Sequence, residues 1–391
     1  MKTEMNTTLI ENAQIIDPSL NVNATQTVSI ENGSLKFSES SKADNKIDGS
    51  GKILIPALID LQAGIKNIQA DSQAAQQAGI GYVCMTPNTS PVIDTPADVT
   101  LIEEKNNAVD GCKILPLGAL TQGLKGEQLA NMYSLQQAGC IALTNSKKPV
   151  KDLLVLRRLM EYAATHDILI LINAQEETLA KGGLMHEGET ATRLGLVGIP
   201  ESAETIAVAQ TLLLAEETNA RLHFSQISCA RSIDMIRKAK EKGLKISADV
   251  AIANLMFTDE HVTGYNSLFN LQPPLRSEKD RQALLAAVNN REIAICSNHM
   301  PSQAAAKTDT FAAAATGMNT LTSWFSLGLN LVDRGELTLE NLVYASSTLP
   351  AEILRLPETS YQLKENTKPV MALIDLKGAT QGLSSAITFN V

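Results

Sequence analysis

The sequence predicts an α/β protein, a (β/α)8 TIM barrel with a small β-domain formed by both termini. Three observations point there. Eight short apolar runs alternate with segments of helical period along the middle of the chain, a succession that suits a barrel better than an open doubly wound sheet. The two ends lack that period and carry strand-like runs instead. With 391 residues and 44% hydrophobic content, the chain can fill one large core and a smaller one beside it.

In chain order, Thr8 to Ile16, Gln26 to Glu31 and Gly33 to Phe37 read as small strands, separated by the turn signals Asp17-Pro18 and Asn32-Gly33. The barrel strands are expected at Ile53 to Asp60, Gly81 to Met85, Lys113 to Leu117, Cys140 to Thr144, Ile168 to Asn173, Arg221 to Ser225, Lys245 to Asp249 and Glu292 to Ser297. Between them, Lys151 to Thr165 repeats Leu153, Leu156, Met160 and Ala163 at helical spacing. Ser202 to Thr218, Cys229 to Lys242 and Ser277 to Val288 follow as helices, the last opening with Ser277 and Asp280 in capping-box positions. Val370 to Asp375 and Ala386 to Val391 return to strand character. The expected domains are therefore 1–50 plus 360–391 for the β-domain and 51–359 for the barrel.

A net charge of -9 argues against a nucleic-acid or anionic-membrane surface, because both need clustered Lys and Arg. The five cysteines, Cys84, Cys112, Cys140, Cys229 and Cys296, are odd in number and widely spaced, which fits buried reduced thiols in a cytoplasmic protein. Met1 to Asn12 has no apolar signal core, and no run approaches the roughly 20 residues that span a bilayer.

The ends of the expected barrel strands are where such a fold keeps its ligands and acid/base groups. Here they carry Gln62, Gly64, Asn145, Asn173, Gln226 and Asn298. Amides do not titrate near neutrality and offer only weak carbonyl oxygens to a divalent metal. Asp60, Glu176, Glu177 and Asp249 also lie near strand ends, but scattered carboxylates are commonplace among 42 acids. Lys147 and Lys148 follow strand four with no histidine beside them to complete a metal site.

Ile55-Pro56-Ala57-Leu58-Ile59-Asp60-Leu61-Gln62-Ala63-Gly64 resembles the first barrel strand of amidohydrolases, and Met85-Thr86-Pro87-Asn88-Thr89 resembles the second-strand motif of dihydroorotases. Gly118-Ala119-Leu120-Thr121, Glu187-Gly188, Gly198-Ile199-Pro200 with Ala203-Glu204, Pro273-Pro274-Leu275-Arg276 and Asn298-His299-Met300-Pro301 continue the resemblance in dihydroorotase order over nearly the whole length. It implies a barrel of amidohydrolase type beside a β-domain built from both termini.

The same resemblance implies what is missing. An active member places Asp-x-His-x-His after strand one, where this chain has Gln62 and Gly64. The carboxylate or carbamylated lysine of strand four corresponds to Asn145, the histidines after strands five and six to Asn173 and Gln226, and the strand-eight Asp to Asn298. None of the five histidines, His166, His186, His223, His261 and His299, aligns with a zinc-ligand position. Catalytic residues and bound zinc are therefore not expected. Lys66 stands where the family grips its substrate carboxylate with Arg. It remains, with Asn88 and His299, as a substrate-contact remnant. Gln272 replaces an Asn, and Ala312 to Ala315 replace a Pro-Phe-Gly substrate loop.

The resemblance extends to inactive dihydroorotase homologues that assemble with the catalytic subunit of aspartate transcarbamoylase as a heterododecamer. The expectation is thus a pseudoenzyme, a structural subunit in pyrimidine biosynthesis. The alternatives are a divergent amidohydrolase with a rebuilt site acting on a cyclic amide, and a metabolite-binding sensor.

Overall fold

The computed structural model describes residues 7–37, 43–380 and 386–390. Residues 1–6, 38–42 and 381–385 of the expected β-domain, and Val391 at the end of the last expected strand, lie outside the described residues.

The N-terminal strands are β1 (Thr7–Asp17), β2 (Val22–Glu31), β3 (Ser34–Lys36), β4 (Asn45–Asp48) and β5 (Lys52–Pro56). Asn32 and Gly33 join β2 to β3 with φ of 51° and 81°, the left-handed pair that lets a two-residue hairpin follow the twist of its strands. Barrel strands follow as β6 (Leu58–Ala63), β7 (Ile80–Met85), β8 (Lys113–Ala119), β9 (Ala142–Thr144) and β10 (Leu169–Asn173). After β10 the chain makes an excursion through the short parallel pair β11 (Met185–His186) and β12 (Gly198–Ile199). It then completes the barrel with β13 (Arg221–Ser225), β14 (Ile246–Ala251) and β15 (Ala294–Cys296). The C-terminal strands are β16 (Met371–Asp375) and β17 (Ala386–Phe389).

Among the described residues the terminal strands form one sheet in the order β17-β16-β5-β1-β2-β3, with β4 on β1. The carboxylate of Asp17 joins the two ends of the chain. One oxygen accepts Ser19 N–H at 2.9 Å, and the other accepts Leu363 N–H at 2.7 Å.

The eight barrel strands are parallel neighbours in chain order. One expectation changes. Ile53 to Asp60 is not one strand: Lys52–Pro56 pairs with β16 in the terminal sheet, and only Leu58–Ala63 enters the barrel. Pro56 has no N–H to continue a ladder. The crossover is held instead by Ala57 N–H to Val370 O at 3.0 Å and by the Ser347 hydroxyl, 3.0 Å from the carbonyls of both Pro56 and Ala57.

Successive residues of each strand bury on opposite faces, which is why the runs are apolar without alternation. Ile59, Leu61, Cys84, Leu115, Leu117, Leu169, Leu171 and Ala294 form one cluster, while Ile170, Leu222 and Phe224 pack with helix residues Leu159, Val208 and Ile233. Each large side chain so buried contributes about 2 kcal/mol. The expected helices appear at Leu153–Thr165, Ser202–Thr218, Ala230–Glu241 and Glu278–Asn289. Asp152 and Ser277 cap two of them, accepting Leu154 N–H at 2.8 Å and Asp280 N–H at 3.3 Å. No helix of the described residues is long and apolar enough to cross a membrane. All five cysteines are buried and unpaired.

Candidate functional site

The C-terminal ends of the barrel strands gather the residues that the sequence marks out. Gln226 and Asn298 stand at φ of 60° and 50°, a left-handed conformation that costs a residue other than glycine roughly 1–2 kcal/mol.

Three of the six positions are linked to one another. Gln62 Nε2 donates to Asn173 Oδ1 at 3.2 Å, and Asn173 Nδ2 donates to Gln226 Oε1 at 3.0 Å. The chain thus satisfies its amides mutually, although Gln62 Oε1 is buried without a partner. Asn145 stands apart, accepting from the Thr121 hydroxyl at 2.8 Å and donating to Lys148 O at 3.1 Å. Asn298 Nδ2 donates to Gln272 O at 3.1 Å. Gly64 carries no donor side chain: its N–H bonds His299 O at 2.8 Å, and a Cβ there would lie 3.2 Å from that oxygen. The loop after the last strand fills the space into which a side chain at 64 would project.

Sequence reasoning placed Lys147 after strand four but gave it no role at this mouth. Ser146, at φ of 51°, turns the chain so that the partly buried Lys147 reaches back. Its Nζ donates to Asn298 Oδ1 at 3.0 Å and to Gln272 O, and lies 2.8 Å from Met300 Sδ. Burial pushes the ammonium down to about 7. Only its position three residues beyond a strand end hinted at this.

The retained remnants have other partners. Lys66 Nζ donates to Pro301 O at 2.6 Å. His299 is buried, and its Nδ1 accepts the N–H groups of Thr320 and Leu321, each at 3.2 Å. Burial holds the imidazole down at about 4, and Lys66 adds to the effect. Asn88 is exposed and, with Lys66, lines a cavity of about 810 Å³ beside the mouth, whose wall includes Ile65, Ile68, Ile93 and Lys105.

The carboxylates lie deeper or elsewhere. Asp249 Oδ2 is 2.9 Å from His223 Nε2, its other oxygen accepts Gln226 N–H at 2.6 Å and lies 3.3 Å from Cys296 Sγ, and His223 Nδ1 meets Ser247 Oγ at 2.9 Å. All are satisfied inside the protein. Glu176 caps a short helix through Leu179 N–H at 2.8 Å, and Glu177 pairs with Lys151 at 2.8 Å. Among the described residues no group of three or more His, Cys, Asp or Glu stands together as a metal-binding set. A donor set of amides around an ammonium does not fit zinc, which takes imidazole, thiolate and carboxylate.

Several motifs that carry the resemblance meet in a buried network. Arg276 Nη1 donates to Ile199 O at 3.0 Å and to His186 Nδ1 at 3.1 Å, and Nε donates to Ser228 Oγ at 3.1 Å. Buried Glu204 accepts Ser228 N–H and Cys229 N–H at 3.1 and 3.0 Å. These residues brace the excursion after β10 against the loops above β13 and β14.

The chain matches the Dihydro-orotase-like family model over residues 51–232. It is 38% identical to the dihydroorotase-like protein of Pseudomonas aeruginosa, an alignment covering 95% of this chain and 90% of the relative. With the dihydroorotase of Trichlorobacter lovleyi it shares 36% identity, covering 94% and 89%. In fold it is similar to the L-hydantoinase of Arthrobacter aurescens, with a TM-score of 0.80 at 19% identity over 94% of this chain and 86% of that one.

Proposed function

The chain belongs to the dihydroorotase-like family, and we propose that within it this protein is a non-catalytic member, a pseudoenzyme acting as a structural subunit. The partner we propose is the catalytic subunit of aspartate transcarbamoylase, in a hetero-oligomer serving pyrimidine biosynthesis. One observation carries the loss of catalysis: Gln62, Asn173 and Gln226 bond one another at the barrel mouth. A metal in this kind of site lowers the pKa of bound water to about 7, and amides supply neither that metal's ligands nor a proton acceptor. The buried Arg276–Glu204 bracing supports the complementary half of the reading, a barrel kept as a scaffold.

Metal analysis of the purified chain with an assay of dihydroorotate formation and hydrolysis tests the first half. Zinc well below one equivalent and no turnover above background are expected, and stoichiometric zinc with turnover overturns the reading. Co-expression with aspartate transcarbamoylase tests the second. A stable equimolar complex by size exclusion is expected, and full separation of the two chains removes the partner.

A metabolite-binding role is the second reading, favoured by the cavity of about 810 Å³ that Lys66 and Asn88 line. It requires saturable binding of a small anion without turnover.

A further inference from the structure

We propose that Lys147 supplies the barrel mouth with a built-in cation, around which the end of the last strand and the loop before Pro273 are packed in place of a metal ion. The inference rests on the non-catalytic reading above and adds to it the group that now organises the site. Lys147 joins three separate parts of the chain: it leaves the loop after β9, donates to the side chain of Asn298 beyond β15, and donates to the carbonyl of Gln272. Asn298 in turn donates to the same Gln272 carbonyl at 3.1 Å, so lysine, amide and carbonyl close a triangle. Met300 Sδ lies 2.8 Å from the ammonium. From the end of β6, Gly64 N–H and Lys66 Nζ hold the carbonyls of His299 and Pro301. The segment Asn298 to Pro301 is thereby held at the mouth by two lysines and one backbone amide.

Charge gives the proposal a test whose outcome has a sign. Asn298→Asp replaces an amide by a carboxylate of the same shape beside the ammonium. In the wild-type background the new carboxylate draws Lys147 back into its charged form, the pair attracts, and the thermal midpoint at pH 7 rises. In a Lys147→Met background the same carboxylate is buried without a cation, and the midpoint falls. An equal shift of the same sign in both backgrounds overturns the proposal. A second comparison introduces no new charge: Lys147→Met alone lowers the thermal midpoint, whereas Lys148→Met at the exposed neighbour leaves it unchanged. Equal effects of the two lysine substitutions overturn the proposal as well. Zinc content of the wild type separates the two levels of argument. Stoichiometric zinc removes the non-catalytic reading, whereas a zinc-free protein without the sign reversal removes only the role of Lys147.

Discussion

The carboxylate of Asp60 joins the first barrel strand to the last: it accepts the N–H of Ser297 at 3.1 Å and the Ser297 hydroxyl, across a seam where, among the described residues, no backbone ladder pairs β6 with β15. Ser297→Ala removes one donor and leaves the buried carboxylate short of a partner, at an expected cost of about 2 kcal/mol. Urea unfolding at pH 7 measures it.

Burial raises Asp60 from 3.8 to about 6, even though Ser297 pulls it down. The folded state therefore holds this proton over a window, from about 4 to about 6, in which the unfolded chain releases it. Its contribution to stability is complete below that window and lost as pH rises through it, by about 3 kcal/mol for a displacement of this size. Asp60→Asn carries no such proton, so the difference between wild type and variant across this window isolates the effect. A flat difference refutes it.

His186 behaves in the opposite sense. Burial first, and then the Arg276 guanidinium that donates to its Nδ1, hold the imidazole down at about 4. The unfolded chain takes up this proton near 6.5 and the folded one near 4, so the stabilisation is complete above 6.5 and lost as pH falls toward 4. His186→Gln keeps an acceptor for Arg276 and is expected to flatten the acid limb of the stability profile.

Glu204→Gln tests the bracing network. It removes the charge facing Arg276 at 4.0 Å and one of the oxygens that accept Ser228 and Cys229 N–H. Leaving a buried guanidinium without its counter-ion is expected to cost about 3 kcal/mol, read as a fall in the thermal midpoint.

Returning a histidine to position 64 does not by itself rebuild a site. A Cβ at Gly64 lies 3.2 Å from His299 O, so Gly64→His pushes the closing loop and is expected to destabilise by about 1–3 kcal/mol. Adding zinc to that variant is expected to leave its thermal midpoint unchanged, since the other positions remain amides. A zinc-dependent rise contradicts this.

Much of the architecture is written locally. The eight apolar runs, the helix at Leu153–Thr165 and the Asn32-Gly33 hairpin follow from period, capping and turn chemistry within a few residues. The break at Pro56 is less legible, because an apolar run does not say which of two sheets each half joins. That choice is made by β16, more than three hundred residues away in the chain.

The sequence by itself determined the strand-end residue types, and with them the poverty of metal-binding and proton-transferring groups at the mouth. Tertiary structure decided what those residues do. Gln62 bonds Asn173 across 111 positions of chain, and Lys147 bonds Asn298 across 151. No local pattern encodes such pairs, because they exist only once parallel strands close and bring their C-terminal ends together. Closure converts isolated amides, individually costly to bury, into partners for one another and for a lysine.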